Sequence, residues 1–181
     1  MKPIIVRFLA VFALTVGALA QAPAQPLVYL TLPTIDGEVT TQGHVNDILV
    51  QSIAFEVTQT TKDSAKAGTT DITPGFSNLS PIKVTKLLDS ASPKLFLQSV
   101  SGSALASATI TFVDQNSASY FKVALTGVFV SSYAIAAEGD AQTETISLVY
   151  KTIRITYVPP DDGGVKPPVV VGWDRVKAKP F

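Results

Sequence analysis

The sequence contains no cysteine, which excludes disulfide staples and thiolate metal sites. It contains one histidine, His44, so a histidine-rich metal site has nothing to build on. Charge is scarce too. Charged residues make up 15% of the chain, and 14 basic residues cancel 14 acidic ones. A nucleic-acid footprint needs a dense basic face, and this composition does not supply one. There is no internal repeat. Val, Ile, Thr and Ser are plentiful, and these residues suit pleated surfaces better than helices.

The N-terminal stretch MKPIIVRFLAVFALTVGALAQAPAQ carries Lys2 and Arg7, then an apolar run from Phe8 to Leu19, then Ala18-Leu19-Ala20. This is the pattern of a secretory signal peptide. The apolar run of about 12 residues falls short of the roughly 20 that a bilayer demands. Residues 1–20 are expected to be removed after Ala20, with Ala24 as the alternative site. Removal leaves 12 basic and 14 acidic residues, a net charge of −2, on a 21–181 domain. That domain is expected to be exported to the periplasm or beyond, with no membrane contact. Its length suffices to bury roughly two-thirds of the unfolded surface without staples.

Six segments read as strands. They are 27–32, 48–57, 81–88, 106–114, 119–133 and 143–158, the last running antiparallel to its predecessor. Within 48–57 the apolar phase changes from Ile48 and Val50 to Ile53, Phe55 and Val57, which predicts a bulge near Gln51-Ser52. The same change within 143–158 predicts a second bulge at Lys151-Thr152. Phe121, Val123, Leu125 and Phe129 are expected to share one face. Residues 58–80 are polar, with Gly68, Pro74 and Gly75, and read as a long loop. Residues 159–181 form a C-terminal tail in which Val169 to Val171 and Trp173 look able to pack.

One short helix interrupts this β pattern, over about 93–101. Ser92 can cap its first turn, Pro93 suits the first helical position, and Gly102 can take the left-handed conformation that ends it. Phe96, Leu97 and Val100 fall on one face by the three-and-four spacing, so they are the expected anchors. A helix this short must dock to be stable. The fold expected is mainly β, an antiparallel barrel or sandwich plugged by one helix.

Catalytic chemistry finds little support. His44 beside Asp36, Glu38 or Asp47 is better read as a solvated or capping residue near Gly43 than as a base. Asp161-Asp162 before Gly163-Gly164 lacks the alternating ligand spacing of a calcium loop. Ser131-Ser132-Tyr133 lacks the glycines of a nucleophile elbow. No enzyme activity, cofactor or metal is expected.

Several stretches together resemble the Hcp family, the haemolysin-coregulated tube proteins of type VI secretion systems. VTKLLDSASPKLFLQSVSG is similar to the family's strand-then-helix signature, of the form FTKKLDKASPKLF…G. VFVSSY followed by TETISLVYKTIRITYVPPDDGG resembles VLVSSY…ESVSLNFAKIEYEYTPQ…G. VYLTLPTIDGEVTTQGHVNDILVQSIAFEV is similar to YLKIDGIKGES…GH…IEVLSFSWGV, and VGWDRVKAK to a terminal G-[YW]-D segment. The matches run in order from Val28 to Lys179. The resemblance implies a β-barrel with a packed helix, hexameric rings of this chain with itself, and stacking into a tube. It also implies effector proteins as cargo and a spike protein at the tip, with no nucleic-acid partner. The 58–80 loop, with Thr61, Lys62, Asp63, Asp71 and Phe76, is then the expected stacking element. Two features depart from the family pattern: the apparent signal peptide, and a loop that is less glycine-rich. The rival reading is an exported β-domain that binds surfaces or carbohydrate through an exposed platform of Trp173 and tyrosines.

N-terminal sequencing of protein recovered from the cell envelope or medium should begin at Gln21. An intact Met1 in cytoplasmic rings would reverse the expected location.

Overall fold

The computed structural model describes residues 26–63, 72–138, 141–160 and 166–181. The expected signal segment, Asp71 and the Asp161-Gly164 turn lie outside the described residues. Twelve strands and one helix are described, all strand pairs antiparallel. β1 (Leu27–Thr31), β2 (Ile48–Val50), β7 (Leu105–Val113), β8 (Ser119–Glu138), β10 (Thr152–Tyr157), β11 (Val169–Asp174) and β12 (Lys179–Pro180) form one sheet, in the order β12-β11-β10-β8-β7-β1-β2. β3 (Ser52–Ala54), β6 (Ile82–Leu87) and β9 (Ala141–Val149) continue from β8 as a second layer, β3-β6-β9-β8. The result is a two-layer, sandwich-like β fold with a single helix, within the expected class. The core between the layers includes Leu30, Ile48, Ile82, Val84, Ile110, Leu125, Ile146 and Leu148.

The two expected bulges turn out to be corners. At Gln51 the chain leaves β2, which pairs with β1, and enters β3, which pairs with β6. At Tyr150-Lys151 it leaves β9 for β10 and so changes layer. The phase change read from the sequence has a direct cause. Inward points the opposite way in the facing layer, so a strand that crosses over must present its other side chains. β8 makes the same crossing without a break. Its first half pairs with β7 and β10, and its second half with β9. Gly127, at φ 57°, takes the left-handed conformation at that corner, and the register shifts between Val130 and Ser132. The inward set is therefore Val123, Leu125, Val128 and Val130, and Phe129 points outward instead of sharing their face.

Where a loop over 58–80 is expected, the described residues on either side of 64–71 are paired strands. β4 (Val57–Asp63) and β5 (Ile72–Leu79) pair only with each other, as a two-stranded arm. Both faces of such an arm meet solvent, so its sequence shows no apolar alternation to read. Thr61, Lys62 and Asp63 lie on β4, opposite Pro74, Thr73 and Ile72. Phe76, on β5, is almost fully exposed. The C-terminal tail likewise contains structure: β11 adds to β10, and β12 folds back on β11.

The helix α1 (Ser92–Ser101) lies where the sequence places it, with proline in the first turn and Gly102 left-handed at φ 62°. Its docked face is different. Phe96, Leu97 and Val100 are 53%, 63% and 63% exposed, whereas Ala91 and Leu95 are wholly buried. Phe96 meets only the edge of Tyr133, ring centroids 5.8 Å apart. Nor does Ser92 cap the helix; Ala91 occupies the cap position with no side-chain bond. Small residues, Ala91 and Ser92, let the helix approach the layers closely, and the bulkier apolar set is turned outward.

Truncation of Leu95 to Ala should therefore destabilise the fold by about 2–5 kcal/mol. Phe96→Ala and Leu97→Ala should cost below about 1 kcal/mol each. Urea melts of the three variants check this ranking.

Candidate functional site

Lys86 falls on the inward phase of β6, after Ile82 and Val84. Glu144 falls on the inward phase of β9, before Ile146 and Leu148, and the register sets the two directly opposite. Both side chains are wholly buried. A charge so placed costs several kcal/mol unless it is fully paired. Lys86 Nζ donates to Glu144 Oε1 at 2.6 Å, Asp89 Oδ1 at 2.7 Å and the Leu87 carbonyl at 2.8 Å. An ammonium has three protons, so these contacts use all of them. Glu144 Oε1 also accepts the Ser92 hydroxyl at 3.0 Å, and Oε2 accepts the Tyr133 phenol at 2.6 Å. Ser92 Oγ accepts the Asp89 amide at 3.0 Å, and Asp89 Oδ1 accepts that of Ala91 at 2.9 Å. One network thus joins β6, β9, β8 and the start of α1. Burial, then the hydrogen bond to Glu144 and the charges of Glu144 and Asp89, push the Tyr133 phenol up to about 12.

A second polar cluster sits at the root of the arm. Arg175 follows β11 and donates to the carbonyls of Tyr150 and Leu79, both at 3.1 Å, with its guanidinium 4.9 Å from the centre of the Tyr150 ring. The Tyr150 hydroxyl reaches the Ser80 carbonyl at 3.4 Å. Burial raises the Tyr150 phenol, and the Arg175 charge partly opposes that rise. Glu56 and Ser80 close the root through Glu56 N to Ser80 Oγ at 2.7 Å and Ser80 N to Glu56 O at 2.9 Å.

His44 has a packing role. Its ring stacks on buried Tyr29, centroids 4.1 Å apart, and Nδ1 lies 2.8 Å from Asp47 Oδ2. It is thus mostly shielded from solvent rather than a solvated residue near Gly43. Among the described residues no group of three or more His, Asp or Glu could hold a metal. Trp173 packs against the core beside Ile153, and Tyr29 and Tyr150 are buried, which leaves Tyr157, among the described residues, as the one exposed tyrosine on the Trp173 face.

The larger sheet outruns the smaller one. One inward row reads Leu30, Ile110, Val123, Ile155, Val171, each residue paired with the next. Its exposure is 0% at Leu30 and Ile110 and 1% at Val123, then rises through half-buried Ile155 to 59% at Val171. The inner face at β10–β11 is therefore an uncovered apolar shelf, extended by Tyr157 and Val169. A cleft of about 230 Å³ separates it from the arm root, between Val57 and Leu79 on one side and Ile155 and Trp173 on the other.

Of the expected stacking and anchor residues whose side chains are described, Phe76, Phe96, Leu97 and Val100 lie outside the two polar clusters. Lys86 and Glu144 were detectable in principle, as opposite charges on the apolar phases of two strands. Arg175 carried no such signal, because its partners are backbone carbonyls distant in sequence.

Lys86→Met should cost about 3–5 kcal/mol, since it strands the buried Glu144 carboxylate. Lys86→Met with Glu144→Leu should recover much of that loss, as measured by denaturant melts. Burial and the Glu144 carboxylate push the Tyr133 phenol from its usual 10.0 up to about 12. The unfolded chain therefore loses this proton first as pH rises. The stability tied to the phenol is complete below about pH 10 and is lost as pH climbs toward 12. Tyr133→Phe should flatten that part of the stability–pH curve relative to the parent.

Comparison with known proteins places this geometry. The profile described as type VI secretion system effector, Hcp, matches residues 29–157. Protein hcp1 of Pseudomonas aeruginosa is 29% identical over 104 residues, 54% of this chain and 64% of that protein. The chain thus spans just under two-thirds of the length of this curated relative. A crystal structure of Hcp1 from Salmonella typhimurium is similar at a TM-score of 0.72 and 25% identity, covering 86% of this chain and 99% of that one. A type six secretion system protein of known structure is similar at a TM-score of 0.76 and 27% identity, covering 87% and 100%. With the profile spanning most of the described sheet strands and the whole of the Lys86–Glu144 network, the chain belongs to the Hcp family of type VI secretion proteins.

Proposed function

We propose that this chain is a structural subunit that closes into hexameric rings, and that the rings stack into a tube. The observation that carries the reading is the inward row that ends exposed at Val171. An apolar shelf of this kind marks an interaction surface. A second copy covers it without leaving new edges open if the contact is head-to-tail and the rotation closes. The family match supports the same reading. The arm reaches the neighbouring ring; it is mainly polar in sequence, so stacking is weaker than ring closure and depends on concentration. Effector proteins travel in the lumen, and a spike protein caps the tube. The subunit acts by shape and carriage rather than by catalysis, and the N-terminal segment directs it out of the cytoplasm before removal near Ala20.

Native mass spectrometry should return a hexamer, with rings in electron micrographs of the same sample. Val171→Asp should reduce hexamer to monomer while leaving the melt within about 1 kcal/mol of the parent, because the site is exposed in the monomer. Replacing residues 61–77 with a short Gly-Ser linker should abolish stacking and spare the rings. A parent that stays monomeric at every concentration would end the tube reading.

A further inference from the structure

A two-stranded ribbon is at best marginally stable alone in water, and its direction is fixed only by what holds its base. β4 and β5 pair with no other strand. The apolar cleft of about 230 Å³ shows that the arm root does not pack tightly onto β10 and β11. Leu79 anchors the root apolarly, buried in the core, and the remaining ties to the body are polar. Arg175 Nη2 donates to the Leu79 carbonyl, at the last residue of β5, and Nη1 to the Tyr150 carbonyl, at the corner between the two layers. The backbone amide of Arg175 donates to the Lys151 carbonyl at 2.9 Å, which fixes the start of its side chain. The planar guanidinium bridges two carbonyls from strands far apart in sequence and stacks on Tyr150 while doing so. Its fork geometry suits that bridge, and a lysine ammonium could not reproduce it.

We propose that Arg175 is a positioning residue that sets the direction of the β4–β5 arm, and through it the geometry with which the arm meets a second copy of this chain. The second half rests on the ring-and-tube reading above; the first half does not. The C-terminal hairpin of β11 and β12 then acts as the arm's bracket. Trp173 lines the cleft under the root and Arg175 clamps it.

The test uses the full chain with Arg175→Ala, Arg175→Lys and Tyr150→Phe. Hydrogen–deuterium exchange is read at the amides of residues 57–60 and 76–79. Arg175→Ala should speed exchange there about tenfold, the equivalent of losing one charge-assisted hydrogen bond, with β7 and β9 unchanged. Arg175→Lys should fall between Ala and the parent. Tyr150→Phe, which removes only the Ser80 contact, should have a smaller effect at the same amides. In electron micrographs Arg175→Ala should form rings of parental mass that no longer stack. Parental exchange at the arm root in both arginine variants would overturn the proposal, as would an acceleration spread equally over β7 and β9. An effect of Tyr150→Phe as large as that of Arg175→Ala would assign the arm to Tyr150 instead. If the parent itself forms no rings, the assembly reading falls, and the exchange data still decide the role of Arg175.

Discussion

An ammonium taken out of water needs an acceptor for each of its three protons, and Lys86 finds them in three kinds of place. One is the carboxylate across the ladder at Glu144, one is Asp89 in the loop after β6, and one is its neighbour's carbonyl. Each acceptor fixes something. Glu144 fixes the register of β6 on β9. Asp89 fixes the turn that starts the helix, because the same oxygen holds the Ala91 amide. Ser92 and Tyr133 donate to the two oxygens of Glu144 and bring α1 and β8 to the cluster. The helix thus docks at this end of the core with Ser92 at the contact, where a purely apolar plug would need a larger residue.

Much of this architecture was legible in the sequence, for a simple reason. Where one side of a strand is buried, period-2 alternation records it, and two of the three crossings between layers appear as phase changes at Gln51-Ser52 and Lys151-Thr152, while the third, inside β8 at Gly127, was missed. Proline and glycine likewise marked the two ends of α1. The errors fall where burial and apolarity part company. Phe96, Leu97 and Val100 make the more apolar stripe of the helix, but the docked stripe must carry Ser92 to reach a buried carboxylate. The arm is two strands whose described side chains, apart from Leu79 and Gly75, are exposed, so no pattern announces it. The Arg175 clamp is invisible because carbonyl acceptors have no side-chain signature.

Among the described residues, apolar surface is exposed at the β10–β11 shelf and on the outer stripe of α1. The row of the β10–β11 shelf is continuous with the core. The outer stripe of α1 is convex, with Phe96 leaning on Tyr133. A solitary globular domain has little reason to leave both uncovered. A third open surface, a cleft of about 460 Å³, lies where Leu27, Leu49, Leu87 and Leu88 meet. The monomer resembles a core cut at its margins, with the polar clusters holding each margin in shape.

β8 has a consequence for how the chain reaches this state. It is a single 20-residue strand that serves both layers. A one-residue slip along it would turn inward rows outward in both layers together, so misregistered forms are penalised twice. A chain delivered N-terminus first, from a ribosome or through an export channel, presents β1, β3 and β6 before their common organiser arrives. The pairings of β1 with β7 and of β6 with β9 are long-range, and contacts of that kind form slowly. Until Ser119 to Glu138 has emerged, no strand joins the β1–β2–β7 layer to the β3–β6 layer, so their apolar inner faces lack the strand that serves both, and they are the stretches a holding chaperone would have to shield.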